Sequence, residues 1–146
     1  MKRTAYLLVA LFLSLSVMAE DIEIKPEQLP EKAMKVIKEA YPDAKIKEAV
    51  IERRASLMQY EVKLSGGVKM QFRKDGSFTE CVCTDGTVPA VLIPQKIRVF
   101  LSKEFPQREV VRIEHDSKLF ELTLDNGDEL CFNSSYRLID IDHAVE

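Results

Sequence analysis

The chain is short of the residues on which most catalytic sites depend. Its 146 residues include no tryptophan, two histidines, three cysteines and five glycines. It has no Gly-x-Ser-x-Gly, no His-Glu-x-x-His, no phosphate-binding glycine loop and no Gly-x-Gly-x-x-Gly. Its 24 acidic residues outnumber its 21 basic ones, which argues against a nucleic-acid partner because phosphates need a basic surface. We therefore expect a protein that is not an enzyme, with no catalytic residues, no resident cofactor and no recognisable metal site.

The N-terminus has the three regions of a secretion signal. Lys2 and Arg3 supply positive charge, Ala5–Val17 is an apolar run, and Val17-Met18-Ala19 offers small or aliphatic residues to signal peptidase. The run is shorter than the about 20 residues that span a bilayer, although a membrane anchor or a buried N-terminal helix is the alternative. We predict cleavage after Ala19, a periplasmic or secreted mature protein, and no stable membrane insertion after signal removal.

Three cysteines cannot all pair within one exported chain. Cys81 and Cys83 are one residue apart on a predicted strand, so their side chains share a face and a disulfide between them would be strained. Cys131 could pair with either if the strands lie side by side. A metal or redox site and ordinary packing both remain open at this stage, as does the disulfide state.

Two stretches of the sequence match each other with fixed spacing. Leu29-Pro30 and Tyr41-Pro42 recur as Ile93-Pro94 and Phe105-Pro106, and Tyr60–Leu64 recurs as Phe120–Leu124. Between the two blocks the offset falls from 64 to 60, because the first copy has about four additional residues near 53–58. This regularity predicts a duplicated structural unit.

Each copy is predicted to be a helix followed by strands. The prolines begin and end an amphipathic helix, and alternating residues with Gly66-Gly67 or Asn126-Gly127 between them predict hairpins. The expected fold class is α+β: two tandem repeats of one helix followed by a four-stranded antiparallel β-meander, with the helices packed on one face. The copies could share a core or continue one sheet. The predicted boundaries are a signal peptide at 1–19, an N-terminal segment at 20–28, repeats at 29–83 and 93–146, and a linker at 84–92.

The order Leu-Pro, helix, Tyr-Pro, Ile, Tyr-Glu-Val-x-Leu, Gly-x-x-x-x-Phe, Asp-Gly resembles the PepSY-like secreted domains described as β-lactamase-inhibitor-like. Both copies fit, except that the second has Asn133-Ser134-Ser135 in place of the Asp-Gly turn. The resemblance implies a tandem fold like that of the β-lactamase inhibitor protein. It also implies a protein-binding or inhibitory role, as PepSY domains have in peptidase propeptides, and it carries no catalytic motif.

The function we expect is that of a non-enzymatic exported binding module, a protein-binding or inhibitory domain whose partner is another exported protein. The alternative is a periplasmic small-ligand or metal-binding protein, and the oligomeric state stays open. Acid–base chemistry at Glu114-His115-Asp116, or near Asp140, Asp142 and His143, is set aside. The candidate contacts lie on the sheet face opposite the helices and in the segment that interrupts the repeat, residues 53–58, which is predicted to be a loop: Arg53, Arg54, Leu57, Met58, Glu61, Lys63, Lys69, Gln71, Arg73, Glu121, Thr123, Glu129 and Asn133.

Overall fold

The computed structural model describes residues 20–145 as one antiparallel sheet with two α-helices. The predicted signal peptide, residues 1–19, lies outside the described residues. The helices are α1 (Glu31–Ala40) and α2 (Gln95–Glu104), and 3₁₀ turns occur at Pro26–Gln28 and Ala90–Leu92. The strands, which lie in chain order across the sheet, are β1 (Glu20–Glu23), β2 (Ile46–Arg54), β3 (Leu57–Leu64), β4 (Val68–Arg73), β5 (Phe78–Cys83), β6 (Val110–His115), β7 (Leu119–Leu124), β8 (Glu129–Asn133) and β9 (Leu138–Asp142).

Proline sets both ends of each helix. Pro30 and Pro94 are the N-cap residues of α1 and α2, where a missing amide hydrogen costs no helical hydrogen bond. Each helix ends one residue before an aromatic C-cap residue. Pro42 or Pro106 follows that aromatic residue and disfavours helical geometry in it.

The predicted fold class, two tandem units of one helix and a four-stranded meander, is wrong. Within residues 20–145 the strands form a single nine-stranded sheet that carries two α-helices, and the two predicted units are joined because β5 pairs with β6 through Cys81–Ile113 and Val82–Arg112. In addition β1, inside the predicted N-terminal segment, adds a strand to β2. Pairing β5 with β6 leaves no unpaired strand edge in the middle of the molecule, where free N–H and C=O groups would be exposed to mispairing.

The core lies on one face of the sheet. Side chains alternate between the two faces of a strand, and the fully buried ones fall on the same face across neighbouring strands. Ala33, Ile37 and Ile97 from the two helices belong to the same hydrophobic cluster, so both helices cover this face. The opposite face carries no helix and is called the helix-free face below. The core row across the middle strands consists of Val62, Met70, Cys81, Ile113, Leu122 and Leu130.

The turn between β4 and β5 packs directly against the start of α1. Gly76 takes a left-handed φ of 86°, and a Cβ atom there would lie 2.9 Å from Cβ of Pro30 and 3.1 Å from the amide nitrogen of Ala33. The amine of Lys32 also donates to Oγ of Ser77 at 3.0 Å. This turn therefore fixes where α1 begins on the sheet.

Candidate interaction surface

The helix-free face carries a row of side chains that crosses all nine strands. The residues of this central row pair directly, each with its neighbour on the next strand. Six of the nine positions are carboxylates, and like charges that lie directly opposite each other destabilise a sheet. The central row consists of Glu23, Val50, Glu61, Gln71, Glu80, Glu114, Glu121, Cys131 and Asp140.

Arg112 lies at the middle of this face and partly neutralises the row. Its Nε donates to Oε1 of Glu80 at 3.2 Å, and its guanidinium also pairs with Glu114. Partial burial lowers the pKa of Arg112, but the hydrogen bond that Arg112 donates to Glu80 and the neighbouring carboxylate charges outweigh this effect and raise the pKa. Arg112 therefore stays charged while holding two of the three adjacent glutamates, and Glu121 is left exposed to solvent.

The part of the face formed by β3 and β4 carries the basic side chains. Lys63 pairs with Glu48 at 2.7 Å, and Lys69 lies directly opposite Lys63. Gln71 donates from Nε2 to Oε2 of Glu61 at 3.2 Å. The pKa of Glu61 is raised, chiefly because burial disfavours its charge.

The segment that interrupts the sequence repeat is a hairpin rather than a loop. β2 runs to Arg54 and β3 begins at Leu57, so only Ala55 and Ser56 form the turn. Strand alternation splits the predicted contacts. Arg54 and Leu57 lie on the helix-free face, whereas Arg53 and Met58 lie on the face that the helices cover. The pairs are Arg54 with Leu57 and Arg53 with Met58.

Four further predicted contact residues lie on the helix-free face, and they differ in how accessible they are to a partner. Arg73 is exposed opposite Gln59 at the end of β4. Thr123 lies between Arg112 and Glu129 on the strands beside it. Asn133 is committed to its own turn, because its Oδ1 accepts the backbone N–H groups of Ser135 and Arg137 at 3.0 Å. Asn133 is thus a turn residue, and the exposed Glu129 and Arg73 are better placed for contact.

The titratable side chains near His115 and His143 do not form a catalytic arrangement. Glu114 and His115 point to opposite faces because they are consecutive on β6. The His115 ring stacks on Phe120 with ring centroids 4.9 Å apart. His143 pairs with Asp128 at 3.3 Å. Among residues 20–145, no three His, Cys, Asp or Glu side chains are grouped so that they could hold a metal ion.

The three cysteines are free thiols, and the possibility of a bridge to Cys131 is excluded. Cys81 and Cys83 lie in the core on β5, whereas Cys131 lies on the helix-free face on β8. Two strands separate β5 from β8.

Sequence reasoning missed the three residues at the centre of the surface, Glu80, Arg112 and Glu114. Within each of the strands β5 and β6, the sequence alone shows that these residues alternate with apolar ones. Their meeting depends on the β5–β6 register, which spans the segment predicted to be a linker.

The chain matches a family model and is similar to solved structures of proteins described as periplasmic. The family model described as "Putative beta-lactamase-inhibitor-like, PepSY-like" matches twice, over residues 16–80 and 58–140. No curated protein sequence matches the chain.

Three solved structures share the fold over most of both chains. A "putative calcium-regulated periplasmic protein" from Bacteroides thetaiotaomicron is 35% identical, with a TM-score of 0.82, covering 84% of this chain and 97% of its own. A "putative periplasmic protein" of the DUF2874 family from Bacteroides vulgatus is 33% identical, with a TM-score of 0.81 and coverages of 85% and 98%. Another Bacteroides vulgatus periplasmic protein is 28% identical, with a TM-score of 0.80 and coverages of 84% and 99%. Within residues 20–145, no helix is both long and apolar enough to cross a membrane.

Proposed function

The chain belongs to the PepSY-like, β-lactamase-inhibitor-like family, and we propose that it is a non-enzymatic periplasmic binding module whose helix-free face docks a basic surface of another exported protein. The observation that carries this proposal is the central row, in which six carboxylates cross the sheet. The family and the periplasmic neighbours support export and a role without catalysis.

The carboxylates of the central row favour a partner with a basic surface. Glu80, Glu114 and Glu121 lie directly opposite one another on three adjacent strands, and Arg112 bonds only the first two. A partner that brings positive charge onto the row relieves this repulsion, so docking gains more there than on an evenly charged surface. Strands are about 4.8 Å apart, so the row extends for roughly 40 Å, long enough for a protein surface rather than a small ion.

The basic side chains on β3 and β4 fix the orientation of the partner. Lys63, Lys69 and Arg73 repel a basic surface at that end of the face, whereas Glu121, Glu129 and Asp140 attract it at the other end. The partner should therefore lie over β6–β9. Leu57, 58% exposed at the tip of the β2–β3 hairpin, lies at the far end of the face, outside this footprint.

The test is a pull-down from native envelope extract with the wild-type protein and two double variants. Glu121→Lys/Asp140→Lys reverses two exposed charges of the row, and Glu31→Lys/Glu39→Lys makes the same charge change on the exposed side of α1. We expect a stoichiometric partner with the wild type and the α1 variant, and at least tenfold less with the row variant. No partner, or equal recovery by both variants, would contradict the proposal.

Assays of the captured complex against secreted peptidases and β-lactamases then separate inhibition from association. The more specific version of the proposal is that the protein inhibits its partner. It predicts that the captured partner loses activity when the wild-type protein is added and keeps it when the row variant is added.

The second candidate is a periplasmic metal-binding protein that responds to calcium. One observation favours it: the 35% identical relative is described as calcium-regulated. Calcium takes oxygen ligands, and the central row offers carboxylates, although within residues 20–145 no three acidic side chains are grouped to hold an ion unless they move together. This candidate predicts that millimolar CaCl₂ raises the melting temperature of the wild type but not of Glu121→Lys/Asp140→Lys. A shift with calcium and no protein partner would reverse the ranking.

A further inference from the structure

The helix-covered side of the sheet contains a cluster of three nucleophilic groups. Cys81 and Cys83 lie two residues apart on β5 with Sγ atoms 4.0 Å apart. Tyr41, the C-cap residue of α1, places its Oη 3.6 Å from Sγ of Cys81 and 3.2 Å from Sγ of Cys83. Cys81 is fully buried and Cys83 is 6% exposed. The cluster lies on the face opposite the central row, so the proposed docking does not use it.

The contacts within this cluster shift the pKa values of its three groups in different directions. The hydrogen bond from Cys81 lowers the pKa of Cys83 to about 6, against the opposing effect of burial, and the hydroxyl of Tyr41 adds to the lowering. The bond to Cys83 and burial raise the pKa of Cys81. Burial and the same thiols raise the pKa of Tyr41.

The geometry disfavours a disulfide between the two cysteines. Residues i and i+2 of an extended strand have Cα atoms about 6.4–6.8 Å apart, at the upper limit of the range for disulfides, whose most common Cα separation is about 5.5–6 Å. Closing the 4.0 Å gap between the sulfur atoms would pull β5 away from its pairing with β4 and β6.

The same three atoms suit a metal ion without moving the backbone. A point equidistant from the two Sγ atoms and the Tyr41 Oη lies about 2.1 Å from each. This distance matches a metal–oxygen bond of about 2.0–2.2 Å and is about 0.2 Å short of a metal–thiolate bond of about 2.3 Å, so an ion slightly out of the plane of the three atoms satisfies both. Met70, a thioether, lies directly opposite Cys81 on β4 and on the same face. The sulfur atoms select a soft metal, Cu(I) or Zn²⁺.

Coordination number decides between these two ions. Structural zinc sites have four protein ligands, and among residues 20–145 no His, Asp or Glu joins the two cysteines in a metal-binding group. We propose that Cys81, Cys83 and Tyr41 form a binding site for a single Cu(I) ion. Both cysteines bind the ion as thiolates, so binding releases the protons that the two thiols carry, and the neutral Tyr41 hydroxyl contributes an oxygen lone pair.

The experiment is an anaerobic titration of the purified protein with Cu(I) in competition with the chromophoric ligand bicinchoninate. We expect one Cu(I) per chain, and X-ray absorption should show two sulfur neighbours. Cys81→Ser/Cys83→Ser should weaken Cu(I) binding at least a hundredfold. Cys131→Ser removes the one thiol on the other face and should leave binding unchanged.

Two further measurements cover the possibility that the double variant does not fold, which circular dichroism will show. Tyr41→Phe keeps the ring packing and should weaken Cu(I) binding about tenfold, and the sulfur count on the wild-type protein needs no variant. Fewer than two sulfur neighbours, affinity unchanged by Tyr41→Phe, or binding lost with Cys131→Ser would overturn the site. Tighter binding of Zn²⁺ than of Cu(I) would overturn the choice of metal. Glu121→Lys/Asp140→Lys should bind Cu(I) normally, which separates this site from the docking face.

Discussion

Substituting Gly76 tests how the β4–β5 turn positions α1. In Gly76→Ala the new methyl group would lie 2.9 Å from Cβ of Pro30 and 3.1 Å from both the amide nitrogen of Ala33 and Cβ of Lys32. None of these atoms is the end of a flexible side chain, so either the turn or the first turn of α1 must move. Gly66, in the β3–β4 turn, is the matched control, because its φ of 84° is nearly the same and no atom lies within 4 Å of its Cβ position.

The two substitutions share a backbone cost and differ in a packing cost. An L-residue in the left-handed region costs about 1–2 kcal/mol, partly offset because alanine restricts the unfolded chain by about 0.4–1 kcal/mol. Gly66→Ala should therefore lower the free energy of unfolding by about 1 kcal/mol. Overpacking adds about 1–3 kcal/mol, so Gly76→Ala should lower it by about 3 kcal/mol.

Urea unfolding followed by circular dichroism measures both variants. With a urea dependence of about 2 kcal/mol per molar, the midpoint should fall by about 1.5 M for Gly76→Ala and about 0.5 M for Gly66→Ala. Equal losses in the two variants would refute the packing argument, since they would show that the turn yields to the added methyl group without cost.

Three further predictions concern stability. Ile113→Ala, at the buried β5–β6 seam, should lower the free energy of unfolding by about 2–5 kcal/mol, and fluorescence and circular dichroism should still report one shared transition; two separate transitions would show that the halves unfold independently. Ala55→Gly should raise the urea midpoint slightly, because Ala55 has a φ of 55°; a lower midpoint would mean that the hairpin tip is unstrained. Backbone N–H bonds lower the pKa of Asp75, Asp116 and Asp128. Their stabilisation is therefore complete above about pH 4 and lost as the pH falls through the folded pKa values, so the urea midpoint should drop in acid, and less so in Asp128→Asn; a midpoint constant from pH 5 to about 2.5 would contradict this.

The local elements could be predicted from the sequence where a residue type has one strong conformational preference. The prolines at 30, 42, 94 and 106 indicated the helix ends, and α1 and α2 lie between them. The strand β1 could not be predicted, because its residues Glu-Asp-Ile-Glu have little strand propensity and form a strand only through pairing with β2.

The surface was less predictable than the elements. Period-two alternation placed Lys63, Lys69 and Gln71 on the wet face of their hairpin, because local register suffices within a hairpin. The segment at 53–58 was predicted to be a loop, but it forms a hairpin with a two-residue turn. Ala55 adopts the left-handed conformation in this turn, which alanine rarely does, so its residue type did not indicate the turn. Arg112 could not be placed beside Glu80, because 32 residues separate them. Their contact depends on how the chain returns after α2 to pair β6 with β5.

The pairing of β5 with β6 has a consequence for how the module meets its partner. Backbone hydrogen bonds between β5 and β6, rather than a flexible linker, join residues 20–83 to residues 110–142. The two ends of the central row therefore keep a fixed separation in the unbound protein. A binder that lies over β6–β9 therefore meets attracting and repelling charges whose spacing does not change when it docks. Association should consequently be fast and salt-sensitive, with little ordering of the chain on complex formation.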